Sequence, residues 1–254
     1  MYEIIKRFRL AVVVGFALLV AASCKVNNKI VKAFRTEYEI SNKLNLDSAL
    51  LKSYLPYKSL LDQEMNRVVA NAAVTLSKSN KLPESLMGNF FADALLFEGR
   101  KYDPSIDFAF PVTKGGLRCD WQKGPVSLSK VYELMPFENE MMVITINGEQ
   151  VENLMSFIAV TRGQPIAGVR MKIIDKKARS IEINGAPFDK NKSYRVLTSD
   201  YIAGGGDNVE SFKNSVESKV IGMKVRDAIL RNITELQNKG IDINAKLDGR
   251  IIEN

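Results

Sequence analysis

Met141-Met142-Val143-Ile144-Thr145-Ile146-Asn147-Gly148 is the stretch that decides the fold class. Its first six residues are apolar or β-branched and read as a strand. Asn147-Gly148 then reads as a turn. Val151 to Val160 reads as a helix, and Val169 to Ile174 as a strand. Working outward toward the C-terminus, Ser180 to Ile183 reads as a strand ending at Asn184-Gly185, and Tyr194 to Thr198 as another. A last helix runs from Val225 to Leu236, with Ala228, Ile229, Ile233 and Leu236 on one stripe and Gly240 as its end. Toward the N-terminus, Ser127 to Met135 is a short helix with Ser127 as its cap. Ile106 to Val112 is a strand leading into Gly115-Gly116. A helix begins at Pro83-Glu84-Ser85 and runs to Phe97, with Gly99 as its stop. Leu60 to Leu76 reads as helix passing into strand, and Lys29 to Arg35 as an extended lead-in. Helices and strands follow one another without strict alternation, so the expected fold is α+β, a mixed β-sheet with packed helices.

The first residues read as a targeting segment. Lys6, Arg7 and Arg9 form a basic region, and Leu10 to Ala22 is an uncharged apolar run shorter than a comfortable membrane span. Val20-Ala21-Ala22-Ser23-Cys24 resembles a bacterial lipobox, with Ala21 where leucine is usual. The expected organisation is a signal peptide over 1–23, lipidation at Cys24, a tether over 24–56 and one domain over 57–254. By resemblance to proteobacterial lipoprotein sorting, Lys25 in place of aspartate after the cysteine implies a lipid anchor in the outer membrane, facing the periplasm.

The 254 residues carry 36 Lys and Arg against 29 Asp and Glu. The basic residues are scattered among acidic ones, without the clustered stripe that nucleic-acid binding requires. Histidine is absent from the sequence. That removes the Cys–His pair and the usual ligand of metal phosphoesterase sites. No phosphate-binding P-loop or nucleophile-elbow motif occurs either. Cys119 follows Arg118, which would favour its thiolate, but a lone cysteine without histidine reads as a passive residue.

Three segments carry recognition chemistry. Gly115-Gly116-Leu117-Arg118 sets a guanidinium after a tight turn; it suits a phosphate or is a solvated arginine. Pro136-Phe137-Glu138-Asn139 offers an aromatic face and an amide, or a core filler and a turn former. Tyr201-Ile202-Ala203-Gly204-Gly205-Gly206-Asp207 pairs an aromatic face with a carboxylate across three glycines. Asp207 suits the two hydroxyls of a ribose, or the capping of a helix.

Together these segments resemble the C-terminal domain of the bacterial periplasmic 5'-nucleotidase and UDP-sugar hydrolase family, over residues 57 to 237. The likeness includes Glu84-Ser85-Leu86-Met87-Gly88-Asn89-Phe90-Phe91-Ala92-Asp93-Ala94 and Gly168-Val169-Arg170. The resemblance implies that Phe137 and Tyr201 sandwich a base, that Asn139 meets its edge with Gly168 close by, that Asp207 binds ribose and that Arg118 binds phosphate. Thr113 stands where the family often has asparagine, and Lys114 beside it offers a further phosphate contact. In the family this domain follows a metallophosphoesterase domain with two metals and a catalytic histidine. The chain therefore reads as a stand-alone recognition lipoprotein with no catalytic residue, metal or cofactor of its own. A separately encoded metallophosphatase would supply the divalent metals and the hydrolysis. The alternative is a non-catalytic nucleotide-binding or structural periplasmic lipoprotein.

Overall fold

The computed structural model describes residues 2, 5–9, 12–14, 32, 34–41, 44, 47–79 and 81–253. Cys24 and most of the apolar run before it lie outside the described residues. So do Lys29, Ile30, Val31 and Ala33 of the extended lead-in, while residues 34–41 carry no regular secondary structure. No helix among the described residues is long and apolar enough to cross a membrane. The chain divides into two compact units, residues 1–51 and 52–254.

Helix α1 (Ser48–Met65) starts twelve positions before the expected Leu60 and contains Pro56 and no buried residue. Asp47 caps it, accepting from the amides of Ala49 and Leu50. Its start was hidden in the sequence because proline interrupts the apolar spacing and no packed face imposes a period.

The centre of the larger unit is a four-stranded sheet in the order β2-β8-β4-β9 (Phe108–Ala109, Ser193–Ser199, Glu140–Asn147, Glu217–Lys224). β2 runs parallel to β8, β4 antiparallel to β8, and β9 antiparallel to β4. Both faces of the inner strands β4 and β8 are buried, while the edge strand β9 is mostly exposed, and the period-two side-chain alternation divides the core. Met141, Val143, Ala109 and Leu197 join one cluster with the helices α2 (Leu86–Tyr102) and α6 (Val225–Asn238). Ile144, Ile146, Phe108, Tyr194 and Val196 join the other, with α4 (Gly148–Val160) and β5 (Val169–Ile174). A second sheet runs β10-β5-β6-β7, with β6 at Lys177–Ile183, β7 at Ala186–Pro187 and β10 at Ile251–Glu253, and β1 (Val68–Ala72) pairs with β3 (Gly124–Ser127). The mixture of helices and mixed sheets is the α+β architecture expected from the sequence.

Several local expectations are corrected. Gly99 does not end its helix, which continues to Tyr102 and is closed by the Asp103 amide bonding to the Gly99 carbonyl. Gly99 is there for close packing, because a Cβ on it would lie 2.8 Å from a Leu197 methyl of β8. Asn147-Gly148 is not a separate turn before the helix but the start of α4 itself. Asn147 accepts from the Gln150 amide at 2.9 Å, and the Gln150 side chain accepts from the Asn147 amide at 3.0 Å, a reciprocal capping box. Ser127 precedes α3 (Leu128–Leu134) without a side-chain cap bond; its hydroxyl pairs with Ser129 instead. The Ile106–Val112 run pairs as a strand only at Phe108–Ala109. β9 and β10 (Ile251–Glu253) lack a sequence signature: β9 is a charged, glycine-containing edge strand, and β10 is three residues long.

Candidate functional site

Strand directions bring the distant segments together. β2, β8 and β9 end at the same edge of the central sheet at which β4 begins. Pro111 and Val112 leave β2 there, Ser199 ends β8, Val225 follows β9, and Asn139 precedes β4. All five line one cavity of about 240 Å³, with Gly115, Gly116, Arg118, Met135, Phe137, Tyr201 and Asp207. Loops positioned by a rigid scaffold are where binding residues concentrate. Five of the six expected site residues thus meet in one place.

The cavity is walled mainly by apolar side chains with a few polar groups, the usual make-up of a small-molecule site. Phe137 is 40% exposed and Tyr201 52% exposed, so neither ring serves as core filling. The side chain of Asn139 has no hydrogen-bond partner among the described residues, while its carbonyl accepts from Val225 N at 2.8 Å. The Arg118 guanidinium lies 6.0 Å from the centre of the Phe137 ring and donates to the Gly115 carbonyl at 3.2 Å.

Asp207 does not cap a helix. Its backbone is left-handed (φ 52°, ψ 27°), which turns its carboxylate toward two donors. The Tyr201 hydroxyl donates to Oδ1 at 3.0 Å, and the Thr113 hydroxyl donates to Oδ2. The demanding path through the glycines is visible too. Ser199 caps the one-turn helix α5 (Asp200–Ala203), and Gly205 follows in the left-handed region at φ 89°. The Tyr201 ring then lies directly on Gly206, where a Cβ would be 2.5 Å from it.

A family profile described as 5'-nucleotidase, C-terminal domain, matches residues 68–214, more than half of the chain. The chain belongs to the 5'-nucleotidase C-terminal domain family. The NAD 5'-nucleotidase of Haemophilus influenzae is 28% identical over 191 residues, covering 64% of this chain and 31% of that protein. The trifunctional nucleotide phosphoesterase protein YfkN of Bacillus subtilis is 24% identical over 217 residues, covering 78% of this chain and 14% of that protein. The crystal structure of a 5'-nucleotidase precursor from Thermus thermophilus shares the fold, with a TM-score of 0.69 at 24% identity over 80% of this chain and 42% of that one. The chain spans less than half the length of these relatives.

Other features singled out in this 5'-nucleotidase C-terminal domain lie away from the cavity. Gly168 lines a separate, polar cavity with Asp93, Arg170, Glu182 and Asp248. It packs against β2, because a Cβ on it would be 2.9 Å from the Asp107 carbonyl. The Lys114 ammonium donates to the Arg162 carbonyl at 2.8 Å rather than facing the cavity, and burial, with the Arg162 charge nearby, pushes its pKa down. Burial, with Glu133 close by, pushes the Cys119 thiol up, the opposite of the shift expected from Arg118.

The Gly-Asn-x-x-Ala-Asp helix is structural. Asn89 donates to Glu84 and to the Lys246 carbonyl. Asp93 forms a two-pronged pair with Arg250, at 2.8 Å on each prong. Together they tie residues 246–250 to α2. Among the described residues, no three His, Cys, Asp or Glu side chains gather as metal ligands.

Sequence reasoning missed Thr113 as a partner of Asp207, and missed Lys224, Val225 and Arg226 beneath Phe137. Glu138 ties the latter group to the segment that carries Phe137. Its carboxylate takes Lys224 and Arg226 together, and the two cations hold its pKa down at about 2. Nothing local in the sequence announces that pairing, which spans 86 and 88 residues.

Proposed function

We propose that this chain is the nucleotide-recognition subunit of a split 5'-nucleotidase, serving phosphomonoester hydrolysis in nucleotide catabolism. The observation that carries the reading is the single cavity flanked by Phe137 and Tyr201, with Asp207 and Arg118 on its lining. In this reading the two rings stack on the base, Asn139 meets its edge, Asp207 accepts the ribose hydroxyls and Arg118 binds phosphate. A carboxylate has about four lone-pair sites, so Asp207 still has room for two hydroxyls beside Thr113 and Tyr201.

The histidine-free sequence assigns no hydrolytic residue to this chain. A separately encoded metallophosphatase supplies the divalent metals and the attacking water. The chain itself is held by a lipid on Cys24 at the outer membrane, facing the periplasm. Calorimetric titration of residues 25–254 with adenosine, AMP and a UDP-sugar tests the binding step. Affinity lost in Asp207→Ala and Tyr201→Ala supports it, and no binding at millimolar ligand overturns it. Copurification of a metallophosphatase with nucleotidase activity tests the split, and acyl labelling lost in Cys24→Ser tests the anchor.

One observation favours a second reading, a family member that keeps the fold as a non-catalytic nucleotide-binding or structural lipoprotein. Both Asp207 oxygens already have protein donors, so the carboxylate is satisfied without a ligand. If the chain is structural, Asp207→Ala leaves nucleoside affinity unchanged because there is none to lose; if it binds nucleotide without catalysis, the same variant weakens that affinity.

A further inference from the structure

Lys224, Val225 and Arg226 are consecutive residues where β9 passes into α6, beyond the matched residues 68–214. All three bind the segment that carries Phe137 and Asn139. Val225 N donates to the Asn139 carbonyl at 2.8 Å, and Lys224 donates to one oxygen of the Glu138 carboxylate. Arg226 donates to the other oxygen of that carboxylate and to the carbonyls of Met135 at 3.4 Å and Phe137 at 3.3 Å. Its guanidinium lies over Tyr132, 4.2 Å from the ring centre, and its side chain is 6% exposed.

Helix formation does not explain this arginine. A cation in the first turn opposes the helix dipole, and Arg226 is the second residue of α6. Its buried position is explained by what it holds. The planar fork of a guanidinium can bind two carbonyls and a carboxylate at fixed angles, whereas an ammonium is a point charge. Segment 135–138 has no strand pairing, so these bonds fix the direction in which the Phe137 ring leaves the backbone.

We infer that Arg226 is a positioning residue for base recognition, holding the Phe137 and Asn139 side of the cavity in its binding geometry without touching the ligand. The inference rests on the nucleoside reading of the cavity. Asp207, Tyr201 and Arg118 stand on other segments, so loosening this one weakens contacts to the base while leaving those to ribose and phosphate.

The test compares the full chain with its Arg226→Gln and Arg226→Lys variants in two measurements. The first is amide hydrogen exchange across residues 135–139 without ligand. The second is affinity for adenosine and for ribose 5-phosphate. Arg226→Gln should speed exchange in that segment and weaken adenosine about tenfold through the cost of ordering the loop. Ribose 5-phosphate should change by less than about twofold, and Arg226→Lys should fall between. Unchanged exchange overturns the inference. So does equal weakening of both ligands with a general fall in melting temperature. If the unaltered chain binds neither ligand, the nucleoside reading fails. Exchange then decides the positioning role: acceleration confined to 135–139 supports it, and its absence overturns it. If the glutamine variant does not fold, Arg226→Lys carries the same test at smaller size.

Discussion

The Thr113 hydroxyl donates to Asp207 Oδ2 across 94 residues of sequence, while Tyr201 donates to Oδ1 at 3.0 Å. Two hydroxyls from separate segments thus end on the same carboxylate. Thr113 is buried and Asp207 is exposed. Thr113→Val keeps the shape and removes one hydrogen bond, which should cost about 1 kcal/mol of stability. Asp207→Ala takes the acceptor from both hydroxyls and leaves the buried Thr113 hydroxyl unpaired, so it should cost at least as much stability, and it should weaken adenosine roughly tenfold or more through lost charge-assisted bonds. Thermal melting paired with calorimetric titration checks both, and an Asp207→Ala variant that binds adenosine as tightly as the parent removes Asp207 from the site.

Gly206 separates stacking from stability. An added Cβ would lie 2.5–2.6 Å from three atoms of the Tyr201 ring. That ring is half-exposed and can swing away, so Gly206→Ala should barely move the melting temperature. The displaced ring no longer faces the cavity, and adenosine affinity should drop roughly fivefold or more, on the scale of a stacked base. Titration with adenosine and with ribose 5-phosphate checks this, because only the first contains a base.

The Glu138 clamp has a defined pH window. Lys224 and Arg226 hold its folded pKa at about 2, below the ordinary 4.5. A carboxylate with a lowered folded pKa adds stability above its unfolded pKa and loses it as pH falls toward the folded one. The contribution is therefore complete above about pH 5 and disappears between 4.5 and 2. The melting-temperature gap between the parent and Glu138→Gln should be small, since the carboxylate is exposed, and should close across that window. A gap that widens on acidification would reverse the sign.

The capping box at α4 makes a fold-level prediction. Asn147→Ala removes the acceptor of the Gln150 amide and should destabilise the chain by about 1 kcal/mol. Gln150→Ala leaves the Asn147 acceptor in place and should cost less. Urea midpoints at constant slope measure both.

The central strands β4, β5 and β8 and the helix stripes were legible in the sequence because a buried element imprints its own period on its residues. Ile144 and Ile146 against Met141 and Val143 show this, two pairs sent to opposite faces of one strand. The recognition segments were legible as residue types, since aromatic faces, glycine turns and a lone carboxylate carry their chemistry wherever they lie.

Their assembly was not legible. Strand order and direction placed Asn139, Ser199 and Val225 at one edge and left Gly168 facing another cavity. The same limit hid β9, whose edge position demands no apolar alternation, and the roles of Thr113 and Arg226. Local sequence fixes what a residue can do, because that depends on its own atoms and near neighbours. Partners 86 to 94 residues away depend on the pairing of whole strands, and only the tertiary structure decided those.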